Sequence, residues 1–426
     1  KQYENAVPYL KEYNGKGGKW SNTDYYYLGY AYYKGGDFEN AIAQFNKIIG
    51  GTNSVAQNAY YHLAECYLKL DKKQEALNAF RNASQMEYSA EIQKDAFLNY
   101  ARLSYEVGNA YEPVPQVITN YLKTYPNDEH QEEMQTLLVD SYITSKNFAG
   151  AMKLLEENKN YASKSVYQKV AYYRGIELFM EGDYTAASDN LAKSLSSAED
   201  MLFKARANYW KAEADYLSNR FEDAVKGYAA FKNNPSAKNT EMYADVDYSL
   251  AYAYFKQKKY SDAITYFKAF TGNSNVEVEK LHDGFLRLGD SYYATSKYWP
   301  AIETYNKAID LTGPEKDYAS YQKAMSYGYV DRGSNKIESL ELFVAQYATS
   351  SFKDDALFEL GNTYISQGQE NKGLEAYDRL INEYKGSSLV PQALMRQGLV
   401  NYNANRNEAA LVKFKTVVRD YPKTQE

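Results

Sequence analysis

The sequence predicts an all-α chain, an α-solenoid of about eleven tandem helix-turn-helix repeats preceded by an N-terminal half repeat. Three observations predict it. Residues 28–45 (LGYAYYKGGDFENAIAQF) and 360–377 (LGNTYISQGQENKGLEAY) carry small, aromatic and apolar residues at the same offsets. The likeness recurs along the chain: from Gly29 the equivalents are Ala64, Ala101, Val139, Gly175, Ala212, Ala251, Gly289, Ala324, Gly361 and Gly398, spaced 35 to 39 residues apart. A period in this range marks supersecondary units that cannot bury their apolar faces alone and so stack. Finally, no strand alternation of useful length interrupts the pattern.

Within each repeat the small anchor belongs to a first helix. Twelve residues on, alanine recurs at 41, 76, 151, 187, 224, 263, 301 and 410, with Gly373 in the tenth repeat. Two small positions per repeat allow two helices to cross closely. Four residues further come Phe45, Phe80, Val117, Leu155, Leu191, Tyr228, Phe267, Tyr305, Phe343, Tyr377 and Phe414, on the same helix face as the alanine, as the knobs of the core. Polar turns such as KGGDF from Lys34, EGDYT from Glu181 and SQGQE from Ser366 separate the helices. Each repeat is thus a helix of about 13 residues, a short turn and a second similar helix, with Pro, Asn, Ser and Gly between repeats.

The array is expected to run over 1–426 as one continuous domain, with bends near 108–116 and 329–337. In the third repeat Pro113 and Pro115 fall where the second helix should begin, so it starts late. In the ninth, YVDRGSN from Tyr329 reads as about three extra residues. Tyr3 to Asn14 reads as the second helix of a repeat lacking its first, and RDYPKTQE as a turn toward another repeat, so both ends look truncated.

Hydrophobic residues make up 44% of the chain although mean hydropathy is -0.67, a combination explained by 47 tyrosines with apolar rings and wet hydroxyls. Forty-nine basic against 55 acidic residues give a net charge of -6 without blocks of one sign, which argues against nucleic acid as a partner. Cys66 is the single cysteine, so no intrachain disulfide forms; two residues past an anchor, it reads as a buried, inert thiol. No run of 18 apolar residues occurs.

Catalytic and metal patterns are missing. His62, His130 and His282 stand far apart in sequence without an H-E-x-x-H arrangement and read as structural or solvated. Neither a nucleophile elbow nor a phosphate loop is present, and adjacent acids such as Asp354 and Asp355 diverge on a helix. No cofactor, metal or enzyme activity is expected. Trp210 reads as core, and Trp299, ahead of Pro300, as a staple at a helix start.

The unit W/Y-x-x-L-G-x-x-Y followed by A-x-x-x-F resembles the tetratricopeptide repeat over essentially the whole chain. The resemblance implies a right-handed superhelix whose first helices line a concave face. Repeats longer than the common form, with YPxS-like turns, are similar to tetratricopeptide proteins of the bacterial envelope, of the outer-membrane assembly lipoprotein and Tol-Pal-associated kinds. That similarity implies a periplasmic or outer-membrane-associated setting, with the cytoplasm left open. Carried over by position, three before and one and four after each anchor, the concave face receives Tyr26, Tyr30, Tyr33, Tyr61, Tyr172, Tyr209, Tyr216, Tyr248, Tyr252, Phe255 and Tyr293. Such a groove suits an extended protein or peptide segment. Glycan or peptidoglycan binding is the alternative, and a regulatory arm of a larger signalling protein a third. The Lys and Asn needed for a co-chaperone carboxylate clamp are absent from the position after the anchor, save Asn362. Glu65, Asp140, Glu213 and Asp290 stand there instead and favour a neutral or basic partner.

Overall fold

The computed structural model describes residues 3–197, 199–273, 276–311 and 313–425. Helices follow one another along the chain as α1 Tyr3–Glu12, α2 Asn22–Lys34, α3 Phe38–Phe45, α4 Ser54–Lys69, α5 Lys73–Ser84, α6 Ala90–Val107, α7 Val114–Thr124 and α8 Gln131–Thr144. Next come α9 Phe148–Glu157, α10 Lys164–Met180, α11 Tyr184–Ser196, α12 Met201–Leu217, α13 Phe221–Lys232, α14 Val246–Lys256, α15 Tyr260–Thr271 and α16 Val278–Ala294. The last are α17 Tyr298–Asp310, α18 Lys316–Gly328, α19 Gly333–Gln346, α20 Lys353–Ser366, α21 Glu370–Glu383, α22 Val390–Asn403 and α23 Asn407–Asp420. No strand forms among the described residues; Lys16 and Lys19 make one isolated bridge across the glycine turn. The fold is therefore an all-helical α-solenoid of helix pairs, with helices of 8 to 18 residues around the 13 expected.

The chain divides into two compact bodies, Lys1–Glu181 with Asp189–Phe203, and Gly182–Ser188 with Lys204–Glu426. In the first, Phe45, Phe80 and Tyr121 are fully buried; in the second, Tyr228, Phe267, Tyr305 and Tyr377 are. Each buried ring contributes roughly 2–3 kcal/mol of apolar transfer. The anchors are small because these rings lie on them: a Cβ on Gly361 would stand 2.5 Å from the Tyr377 ring.

First helices start where Ser21, Asn53, Ser89 and Ser163 cap them, each accepting from the backbone N–H three residues on. They end on one device. The seventh residue after every anchor has positive φ, between +52° at Asp331 and +83° at Gly182. In nine repeats the next N–H returns to a carbonyl five residues back, as Lys72 does to Tyr67 and Gln369 to Tyr364, both at 2.8 Å, whereas Gly108 in the third repeat is extended, with ψ 170°. This left-handed cap satisfies the last carbonyls and reverses the chain.

Regular turns locate the irregular repeats. The second helix begins nine residues after the anchor everywhere except in the third repeat, where α7 starts at Val114, thirteen after Ala101. Pro113 and Pro115 delay it as expected. The ninth repeat is different from expectation: Asp331 and Gly333 keep the ordinary offsets from Ala324, so its turn carries no insertion. Leu340, not Phe343, holds the core position at offset sixteen, although Phe343 is also buried. Lys336 replaces the small residue of this repeat, and its Nζ lies 2.6 Å from Glu359 Oε2. The longest spacing, 39 residues from Ala212 to Ala251, accommodates two 3-10 turns, Pro235–Asn239 and Glu241–Ala244.

A buried polar residue seven before several anchors fastens the loop between repeats. Gln57 Nε2 donates to the carbonyls of Ala83 and Met86 while its Oε1 accepts from Ser89 N–H at 2.7 Å. Gln168 holds Asp200 through both backbone groups, at 2.8 and 2.9 Å. At His282 the ring nitrogens face the carbonyls of Ala308 and Pro314, at 2.8 and 2.5 Å.

Candidate functional site

The predicted aromatic positions all lie on first helices, where their spacing projects them to one side. In the first body Tyr26, Tyr30 and Tyr33, one per turn of α2, surround the His62 ring with centroids 6.1, 5.1 and 5.1 Å away. Tyr26 and Tyr30 lie nearly parallel, 6.0 Å apart. His62 Nδ1 approaches Glu65 Oε2 at 2.6 Å, so this histidine is the hub of an aromatic cluster. Burial pushes the Tyr26 phenol up to about 12. Tyr61 donates its hydroxyl to Asp95. Tyr172 is only 7% exposed and meets the Phe203 ring edge-on at 5.2 Å, so it packs the interior and offers no surface.

In the second body, Tyr216, Tyr248 and Tyr252 line a cleft of about 220 Å³ with Glu213, Tyr228 and Ser249. It opens between α12 and α14, and Tyr228 of α13 forms its floor. Tyr248 and Tyr252, one turn apart, meet edge-on at 4.8 Å. Both hydroxyls donate to Asp283 Oδ2, that of Tyr248 at 2.8 Å. Tyr209 packs edge-on against Tyr228 and Phe231 at 5.7 and 5.2 Å, beneath the cleft. Phe255 packs on Tyr260 at 5.4 Å. Tyr293 stands apart from the cleft, against Tyr298 and Tyr329 at 5.6 and 5.7 Å.

Sequence reasoning missed the acids that fix these rings. Asp95 and Asp283 both lie six residues before an anchor and take a tyrosine hydroxyl from the preceding repeat. An aspartate at that offset after a tyrosine repeat was the available signal. Arg287 was missed as well: its guanidinium reaches Asp283 at 3.4, Asp290 at 3.1 and Glu315 at 2.8 Å. Asp290 also accepts from the Tyr305 and Tyr318 hydroxyls, at 2.8 and 3.0 Å. Burial nevertheless raises the Asp290 carboxyl above its ordinary value, outweighing these donors and the arginine. Of the acids just after anchors, Asp290 and Glu65 thus have a basic neighbour.

Other sequence expectations take definite places. Cys66 is buried, and burial pushes its thiol up to about 12, which removes nucleophilic character at neutral pH. Trp299 lies inside the first turn of α17 rather than before it, 48% exposed, with the Arg332 guanidinium 5.8 Å over its ring, so it is no staple. Among the described residues no group of His, Cys, Asp and Glu could hold a metal ion. No helix among them is long and apolar enough to cross a membrane.

Comparison with known proteins gives the following. Tetratricopeptide repeat family profiles match residues 218–277, 355–387 and 392–424, and a profile for subunit 3 of the anaphase-promoting complex, or cyclosome, matches residues 1–83. No curated protein matches the chain. Among solved structures, the C-terminal part of a TPR repeat-containing protein from Cytophaga hutchinsonii is 16% identical, with 60% of this chain and 98% of that one covered and a TM-score of 0.43. YrrB, described as a TPR protein with an unusual peptide-binding site, is 19% identical, with coverage of 48% and 98% and a TM-score of 0.38. Naa15/Naa10 bound to HypK-THB gives 17%, 97% and 65%, and 0.38. The profile matches make residues 218–277, 355–387 and 392–424 tetratricopeptide repeats, and the remaining helix pairs share their register.

Proposed function

We propose that the chain is a non-enzymatic scaffold that receives an extended segment of a partner protein on its first-helix face, within a bacterial cell-envelope complex. The observation that carries the reading is the cleft: Tyr216, Tyr248 and Tyr252, which the family resemblance assigns by position to the concave face, line one depression of about 220 Å³. It accommodates single side chains and is too small for a substrate of ordinary size. Tyrosine suits such contacts because it brings a large rigid ring and a hydroxyl at little entropic cost. Peptide is favoured over sugar because Tyr248 and Tyr252 meet edge to face, at 63°, and so do not form one flat stacking surface. The envelope setting is supported by the similarity of the repeats to envelope arrays.

The test is the double substitution Tyr248→Ala with Tyr252→Ala in the full chain. Partner affinity, measured by isothermal titration, is expected to fall at least about tenfold, as hot-spot rings do on truncation. Unchanged affinity, with helicity retained, would remove the face from the binding account.

A further inference from the structure

Glu213 is the carboxylate among the residues that line the cleft. Among the described residues no ion pair to Glu213 forms, whereas Asp283 and Asp290 share Arg287, and Asp245 pairs with Lys280. Its neighbours are neutral: Ser249 Oγ donates to Oε1 at 3.3 Å, and the Tyr209 and Tyr228 phenols lie near the same carboxylate. Tyr228 is 1% exposed, so it is a fixed floor. Around this negative charge stand the rings of Tyr216, Tyr248 and Tyr252.

A carboxylate behind aromatic walls is complementary to an organic cation. The rings supply electron-rich walls, the carboxylate supplies the counter-charge, and partial exclusion of water strengthens both. A neutral apolar side chain would desolvate the Glu213 charge and bring no counter-charge, and an acidic one would be repelled. The net charge of -6 acts in the same direction on approach. Resting on the scaffold reading above, we infer that this cleft is a specificity pocket for a basic side chain, lysine or arginine, of the extended partner segment. Glu213 acts as the counter-ion, and Tyr216 and Tyr252 as walls.

The experiment measures binding of the intact chain to two extended peptide libraries with identical randomised flanks, one with lysine fixed at the central position and one with norleucine. Wild type is expected to retain the lysine library about tenfold better. Glu213→Gln, which keeps size and hydrogen bonding, is expected to bring that ratio to about one while norleucine binding persists. Equal retention of both libraries by wild type, or a lysine preference that survives Glu213→Gln, would overturn the inference. If the libraries are retained equally and both are lost in the Tyr248→Ala, Tyr252→Ala variant, the peptide face stands and the cation pocket falls. Retention of neither library above that double variant would overturn both readings. Thermal unfolding of each variant separates lost recognition from lost folding, and Glu213→Gln is expected within a few degrees of wild type.

Discussion

At the scale of single residues, the chain repeatedly uses a buried polar group to fasten a loop, and the chemistry of each group can be tested separately. His282 faces two carbonyls, where Gln57 in the second repeat does the same work with an amide. His282→Gln is therefore expected to unfold within about 1 kcal/mol of wild type, and His282→Ala to lose about 1–3 kcal/mol in urea titrations, because two buried carbonyls lose their partner. Asp128 gives a pH signature. Burial acts to raise its carboxyl, but Lys94, the His130 N–H and the Tyr121 hydroxyl outweigh it and hold the group at about 2. A folded value below the unfolded one means that Asp128 stabilises the fold fully above about pH 4 and loses this contribution as pH falls toward 2. Asp128→Asn should flatten the pH dependence of stability in that window, as followed by circular dichroism. Neither role was legible in the sequence, because a glutamine or histidine seven before an anchor looks like any helix residue until the loop it holds is seen.

Elements were the most legible scale. Anchor, alanine and ring at offsets zero, twelve and sixteen follow from helical periodicity and from the close approach of two helices, so α2 with α3 and α20 with α21 could be placed from residues alone. The turn was legible as polar but not as a left-handed cap, since its seventh residue is Gly in four repeats and Asp, Asn, Lys or Ser in the other seven. That variety makes a prediction. Lys258, at φ +59°, has a Cβ that the left-handed region penalises, so Lys258→Gly should raise thermal stability by about 0.5–1 kcal/mol. A loss of stability there would show that the lysine side chain outweighs the backbone term. The ninth repeat shows where pattern reading fails: Lys336, paired with Glu359, stands at a small-residue position, and the turn geometry does not contain the expected insertion.

For the whole molecule, period and composition were sufficient to reach an all-helical tandem array, because a stack of like units writes its architecture into every repeat. The candidate site was legible only as a face. Register placed the tyrosines on first helices, but which of them pack inward, as Tyr172 does, and which line a cleft depends on contacts between repeats that no single repeat encodes. Fold alone does not assign function, so the account rests on that face. Its most direct test is site-specific photocrosslinking with benzoylphenylalanine in the full chain, at position 216 in the cleft or at position 342, a leucine 54% exposed on the second helix α19. The account predicts that position 216 crosslinks one discrete segment of a protein from envelope extract and that position 342 does not. Crosslinking to that segment from position 342 alone, or equally from both, would contradict it.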